Sequence, residues 1–196
     1  MTVVLGLTGS IGMGKSTTAA FFREAGVPVW DADATVHRLY GKGGAAVGPL
    51  GRLCPAALTD GAIDRAALKD WIAADPTALK RIESVVHPLV AADRADFVAR
   101  HRRVGTPLVV VDIPLLFETA GEAQCDATLT VSAPAEVQRA RVLSRPGMTE
   151  ATFKTLLAKQ MPDAEKRARA TYVIETLSLD QTRADVEALI AELTGG

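Results

Sequence analysis

The chain contains no asparagine. Guanine-specific switch GTPases carry N-K-x-D and D-x-x-G. The first is impossible here, and no aspartate has glycine three positions later, so the second is missing as well. Aromatic residues make up only 5%, and 22 basic residues stand against 23 acidic ones for a net charge of −1. A general nucleic-acid binder would carry a basic excess and stacking platforms, and neither is present. Cysteine is limited to Cys54 and Cys125, far apart and in no metal-like spacing. They read as small buried hydrophobes kept reduced in a cytoplasmic chain. No apolar run approaches the roughly 18 residues a membrane span needs. The start, MTVVLGLTGS, reaches glycine without a basic stretch, so it does not read as a secretory signal. What is present is ordinary: 196 residues, 48% hydrophobic, enough for one domain that buries its own core.

Thr2 to Thr8 (TVVLGLT) is apolar and β-branched, as expected of a strand buried on both faces. A helix is expected over Lys15 to Ala25, stopped by Gly26, and a second strand over Val27 to Trp30. Strand, helix and strand within thirty residues make a βαβ unit. From Asp33 to about Arg103 the pattern is helical with no convincing strand. It includes a helix over Ala34 to Tyr40, one capped by Asp64 and ending near Ala74, and one opened by Asp75-Pro76 and continuing to Arg103 with a bend near His87-Pro88. Strands return at Pro107 to Asp112 and Ala127 to Ser132. A helix opened by Pro134 runs to about Arg145, where Arg145-Pro146-Gly147 breaks it. Residues 146–170 read as short charged helices with few apolar anchors. A strand over Thr171 to Ile174 and a helix over Asp180 to Leu193 complete about five parallel strands wrapped by helices.

Gly9-Ser10-Ile11-Gly12-Met13-Gly14-Lys15-Ser16 matches G-x-x-x-x-G-K-[ST] and lies between the first strand and the first helix, the context the motif requires. Glycines let the backbone curl so that successive N–H groups point at phosphate oxygens, and the helix start adds its positive dipole end. Lys15 would reach the β- and γ-phosphates, and the Ser16 hydroxyl would hold Mg²⁺. The expected ATP-binding residues are Gly9, Gly12, Met13, Gly14, Lys15, Ser16 and Thr17, with Arg145 joining them if the arginines of the later helix close over phosphates. With the guanine motifs missing and little room for mechanical coupling elements, a small-molecule kinase is the remaining class. Within that class, a kinase acting on a nucleoside monophosphate or a sugar is the first rival to the family resemblance given below.

Asp31 and Asp33 follow the second strand, at the edge where open parallel sheets bind ligands. Asp33 either caps the next helix or accepts the proton of an acceptor hydroxyl. Asp31 is either a strand-end anchor or a ligand contact. Asp112 ends PLVVVD in a position suited to Mg²⁺, directly or through water, and Glu118 follows in the same loop; for each the alternative is a residue of the strand-end turn. Arg139, Arg141 and Arg145 are expected on one helix, either as a solvated face or closing over phosphates. His87 is either structural or an acceptor contact.

Taken together these residues resemble the dephospho-coenzyme A kinase family nearly end to end. The matching pieces are LTGSIGMGKST (Leu7 to Thr17), DAD (Asp31 to Asp33), DGAIDRAAL (Asp60 to Leu68), His87-Pro88, DIPLLFE (Asp112 to Glu118), paired Arg141 and Arg145, and YVI (Tyr172 to Ile174). The resemblance implies an α/β fold of P-loop NTPase type. This is a three-layer sandwich with a helical acceptor (CoA-binding) subdomain over 33–103 and a lid over 141–170, all within one kinase domain of 1–196. It implies ATP and dephospho-CoA as substrates, Mg²⁺ as cofactor, and no nucleic-acid or membrane partner. It assigns Asp33 as catalytic base, Lys15 and Arg141 to the phosphates, and Arg65, His87, Asp33 and Asp112 to the acceptor side. Two departures stand out. Pro146 follows Arg145 where the family has aspartate. In A-T-Y-V-I-E-T, Thr171 and Thr176 replace the family's aspartate and asparagine, the latter bearing on the adenine end of the ATP site.

Overall fold

The computed structural model describes residues 1–195. In chain order its strands are β1 (Val3–Thr8), β2 (Val29–Asp31), β3 (Leu58–Thr59), β4 (Ala62–Ile63), β5 (Leu108–Asp112), β6 (Ala127–Ser132) and β7 (Tyr172–Glu175). Its helices are α1 (Lys15–Glu24), α2 (Ala32–Tyr40), α3 (Val47–Leu53), α4 (Arg65–Ala74), α5 (Ala78–Arg103), α6 (Ala135–Leu143), α7 (Glu150–Leu157), α8 (Asp163–Arg169) and α9 (Leu179–Thr194). The chain forms two compact units. One comprises Met1–Trp30 with the chain from Arg100 onward, the other Asp31–Ala99.

The first unit is built on a five-stranded parallel sheet of order β2-β5-β1-β6-β7. β1 is central: Leu5 registers with Val110 of β5 on one side and Ala127 of β6 on the other. A strand covered on both faces must be apolar throughout, and Leu108 to Val111 of β5 are all at most 1% exposed. Leu5, Leu7, Val110, Leu129 and Val131 pack with Phe21 and Phe22 of α1 and with Val186 and Leu189 of α9. A fully buried phenylalanine such as Phe22 contributes on the order of 1.5–3 kcal/mol. Parallel strands place all their carboxyl ends on one edge. The segments after β1, β5, β6 and β7 therefore meet there, and they carry the candidate site.

The second unit has its own core of Leu39, Leu50, Ala57, Ile63, Leu68, Ile82 and Val86. Cys54 is buried in it and Cys125 is half-buried in the first unit, and neither forms a disulfide. Contrary to the sequence reading, this unit contains a strand pair. β3 and β4 form a hairpin whose turn residues, Asp60 and Gly61, both have positive φ (50° and 79°). Asp-Gly suits a two-residue hairpin turn of this hand. The strands are only two residues long, so no alternating run announces them. Helix α3 also escapes the pattern: VGPLGRL is rich in breakers, and burial of Leu50 outweighs propensity.

Several boundaries move. Helix α2 begins at Ala32, not Ala34, because Asp31 is the cap: its carboxylate accepts from the Ala34 N–H at 2.9 Å. Helix α6 ends at Leu143, so Arg145 is not on the helix of Arg139 and Arg141 as expected. It lies in the following turn, where its carbonyl accepts from Met148 N–H at 3.1 Å. Asp64 does cap α4, accepting from Ala66 N–H at 2.8 Å.

Candidate active site

The loop from Gly9 to Gly14 leaves the end of β1 and turns directly into α1. Gly12 and Gly14 have φ of +80° and +86°, where a side chain is strained. Space forbids one as well. A Cβ on Gly12 would lie 2.6 Å from Val142 Cγ2, and one on Gly14 would lie 2.8 Å from Thr176 Oγ1. Helix α1 starts at Gly14 with no side-chain cap, leaving its positive end for an anion.

The loop is held by polar contacts at its centre. Gln138 of α6 donates to the Ile11 carbonyl at 2.8 Å, and Gln160 accepts from the Ile11 N–H at 3.0 Å. The Met13 N–H donates to the Ser10 carbonyl at 3.1 Å, while the Met13 side chain is buried beneath the loop. Ser16 and Thr17 are exposed on the first turn of α1.

Lys15 and Asp112 are brought together: the Lys15 ammonium donates to Asp112 Oδ1 at the buried end of β5. Arg141, half-buried on α6, donates to Thr176 Oγ1 at 3.0 Å and to the Thr176 carbonyl just beyond β7. Thr176 Oγ1 donates to the Met13 carbonyl at 2.8 Å. Thr171 exchanges hydrogen bonds with Thr128, its N–H donating to Thr128 Oγ1 at 3.0 Å, and so aligns β7 with β6. Arg145 is exposed. Arg139 pairs with Glu150 of α7 at 2.6 Å, which raises the arginine's pKa and lowers the glutamate's through their shared hydrogen bond and charge.

Glu118, from the loop after β5, pairs with Lys166 of α8. Its Oε1 accepts from Lys166 Nζ at 2.8 Å and from the Met161 N–H at 2.8 Å. Burial pushes the Glu118 carboxyl up, but the bonds from Lys166 and Met161 outweigh it and hold the group below its ordinary range. Lys166 is 0% exposed and also donates to the Pro114 carbonyl at 3.2 Å. Asp163 accepts from the Ser132 hydroxyl at 2.6 Å at the end of β6. Residues 160–166 are thus fastened to three strand-end segments, a role no sequence spacing announces.

In the second unit, Asp33 is exposed in the first turn of α2, and since Asp31 makes the cap its carboxylate is not used for capping. Arg65 lies over the Tyr40 ring at 5.6 Å. Burial raises the Tyr40 hydroxyl's pKa and the Arg65 charge opposes the rise. His87 is exposed on α5. Arg38 pairs with Asp93 at 2.6 Å.

Among the described residues no group of three or more His, Cys, Asp or Glu is placed to hold a metal. Ser16 and Asp112 instead offer two hard oxygen donors, which fits Mg²⁺, an ion that takes few protein ligands and keeps phosphate and water for the rest. No described helix is long and apolar enough to cross a membrane.

A family model described as dephospho-CoA kinase matches residues 3–181. A dephospho-CoA kinase of Cereibacter sphaeroides is 67% identical over 189 residues, covering 96% of this chain and 94% of that protein. One of Jannaschia sp. is 63% identical over 196 residues, covering all of both chains. Among solved structures, a Thermus thermophilus protein superposes with a TM-score of 0.82 at 42% identity, over 98% of each chain. A dephospho-CoA kinase from Campylobacter jejuni shares the fold with a TM-score of 0.78 at 23% identity, over 100% of this chain and 99% of that one.

Proposed function

The chain belongs to the dephospho-CoA kinase family, and on that premise we propose that it transfers the γ-phosphoryl group of ATP to the 3′-hydroxyl of the adenosine ribose of dephospho-CoA, the last step of coenzyme A synthesis. The observation that carries the proposal is the loop Gly9–Gly14 feeding the uncapped start of α1, with Lys15 poised at the end of β5. The loop amides and Lys15 grip the phosphate chain. The 3′-oxygen attacks the γ-phosphorus, the bond from that phosphorus to the β,γ-bridging oxygen breaks, and ADP leaves. The hydroxyl proton passes to the Asp33 carboxylate, exposed and not used for capping. Lys15 and Arg141 meet the charge on the transferring group, as catalysis of this kind demands. Arg145 assists on the ATP side, and Arg65 and His87 bind the acceptor with residues 33–103 as its subdomain.

Ser16 and Asp112 would hold Mg²⁺, which when bound neutralises phosphate charge. Within 141–170, the anchors at Gln160, Met161, Asp163 and Lys166 narrow the closing lid to residues 144–159. The site of action is the cytoplasm.

The test is ADP release with dephospho-CoA, AMP and shikimate as alternative acceptors. Release with dephospho-CoA alone, and a product phosphorylated at the 3′ position, is the expected result. Faster turnover of AMP or shikimate would contradict the proposal.

A further inference from the structure

Arg141 is held by a residue that the transfer chemistry does not itself use. Its guanidinium carries donors only, so Thr176 Oγ1 must accept from it. The hydroxyl's single proton is then left for a carbonyl, and the nearer one is that of Met13 at 2.8 Å, against 3.4 Å for Ser132. Thr176 is buried, 6% exposed. Its N–H donates to the Ser132 carbonyl at 2.9 Å, and its side chain lies directly under Gly14. One hydroxyl therefore joins an arginine on α6 to the phosphate loop after β1. The Thr176 carbonyl takes a second arginine bond, which fixes the plane of the guanidinium as well as its position.

We propose that Thr176 is a positioning residue that sets Arg141 in register with the phosphate loop, so that loop and arginine present their charge to the transferring phosphoryl group as one preformed unit. The proposal rests on the reading of Arg141 as a residue that meets the transferring phosphate. Donors aimed in advance at developing charge act on the chemical step, so loosening one lowers kcat more than it weakens acceptor binding.

The experiment is a double-mutant cycle with two conservative variants. Thr176→Val keeps the branched shape and removes the hydroxyl. Thr176→Ser keeps the hydroxyl and removes the methyl. kcat and both KM values are measured for each, alone and with Arg141→Ala, with thermal unfolding to confirm a folded protein. Thr176→Val is expected to lower kcat by about tenfold with the KM for dephospho-CoA within about twofold. Thr176→Ser is expected to stay within about threefold of wild type. In the Arg141→Ala background, Thr176→Val is expected to cost less than about twofold more, because its partner is already gone. A full, additive loss in that background would mean the hydroxyl serves the loop alone and would overturn the positioning role. Failure of Thr176→Ser to restore activity would overturn it as well, by assigning the effect to packing. If the valine variant does not fold, Thr176→Ala takes its place in the cycle under the same criteria. Near-normal transfer by Arg141→Ala alone is a separate outcome: it sinks the underlying reading of the arginine.

Discussion

Gly12 and Gly14 are barred from carrying a side chain twice over, by positive φ and by contacts at 2.6 Å and 2.8 Å. Such constraints are legible in a sequence because the motif fixes glycine positions by backbone geometry. Lys15 and Asp112 fall where their patterns put them, Lys15 opening α1 at the end of the glycine motif and Asp112 closing β5. Gln138, Gln160 and Lys166 were not legible. Each is a single polar residue far from the loop in sequence, and its partner is set only by tertiary closure. Thr176 was visible only as a departure from the family pattern, with no hint that it would bond Arg141 and Met13. At this scale the sharpest expectation concerns Lys15. Its side chain is 16% exposed and its partner is the buried Asp112 carboxylate, so Lys15→Ala removes no large apolar side chain but leaves that carboxylate without its lysine, and the protein should stay folded with a lowered melting temperature. Transfer should fall ~10²-fold or more, about 3 kcal/mol of transition-state stabilisation. A steady-state assay alongside a circular-dichroism melt checks both halves, and transfer within a few-fold of wild type would remove the lysine from the chemistry.

Among the elements, the strands of the parallel sheet were readable because buried strands are continuous apolar runs; β6 falls where the sequence put it, at Ala127–Ser132. The hairpin of β3 and β4 and helix α3 were not readable, since the first is too short to alternate and the second contains two glycines and a proline. The segment 146–170 looked uniformly loose because its residues are charged. Yet charge patterning says nothing of a lysine that folds inward to a glutamate, and Lys166 does so. Its two halves should therefore behave differently. Limited trypsin digestion should cut at Lys154 or Lys159 well before Lys166 or Arg167, and ATP with dephospho-CoA should slow the early cuts. Equal rates at the two groups of sites, or no protection by substrates, would contradict a lid over 144–159.

For the whole molecule, the ion pair of buried Lys166 and half-buried Glu118 joins the segment before β7 to the loop after β5. Removing one partner strands a charge. Lys166→Met should destabilise the protein in urea unfolding by less than the ~3–5 kcal/mol of a fully buried pair, because Glu118 keeps some contact with water, and adding Glu118→Leu should recover most of the loss. The pair also predicts a pH dependence with a definite sign. Glu118's folded pKa is lowered, so the stability it contributes is present above its ordinary value of about 4.3 and is lost as pH falls through the folded value. Wild type should thus lose stability more steeply on acidification below that pH than Glu118→Gln, in paired unfolding curves; parallel losses would argue against the pair's contribution.

The proposed mechanism assigns the phosphate grip to Lys15 and the loop Gly9–Gly14, and the proton of the acceptor hydroxyl to Asp33. Single-turnover transfer by Asp33→Asn, with calorimetric binding of ATP and of dephospho-CoA, tests that assignment most directly. Asparagine keeps the size and the hydrogen bonding but not the basic carboxylate. Transfer should fall by ~10³-fold, within the usual range for general-base help, while both affinities change by less than about threefold. Transfer at near wild-type rate, or a loss explained wholly by failed binding of dephospho-CoA, would contradict Asp33 as the group that takes the proton.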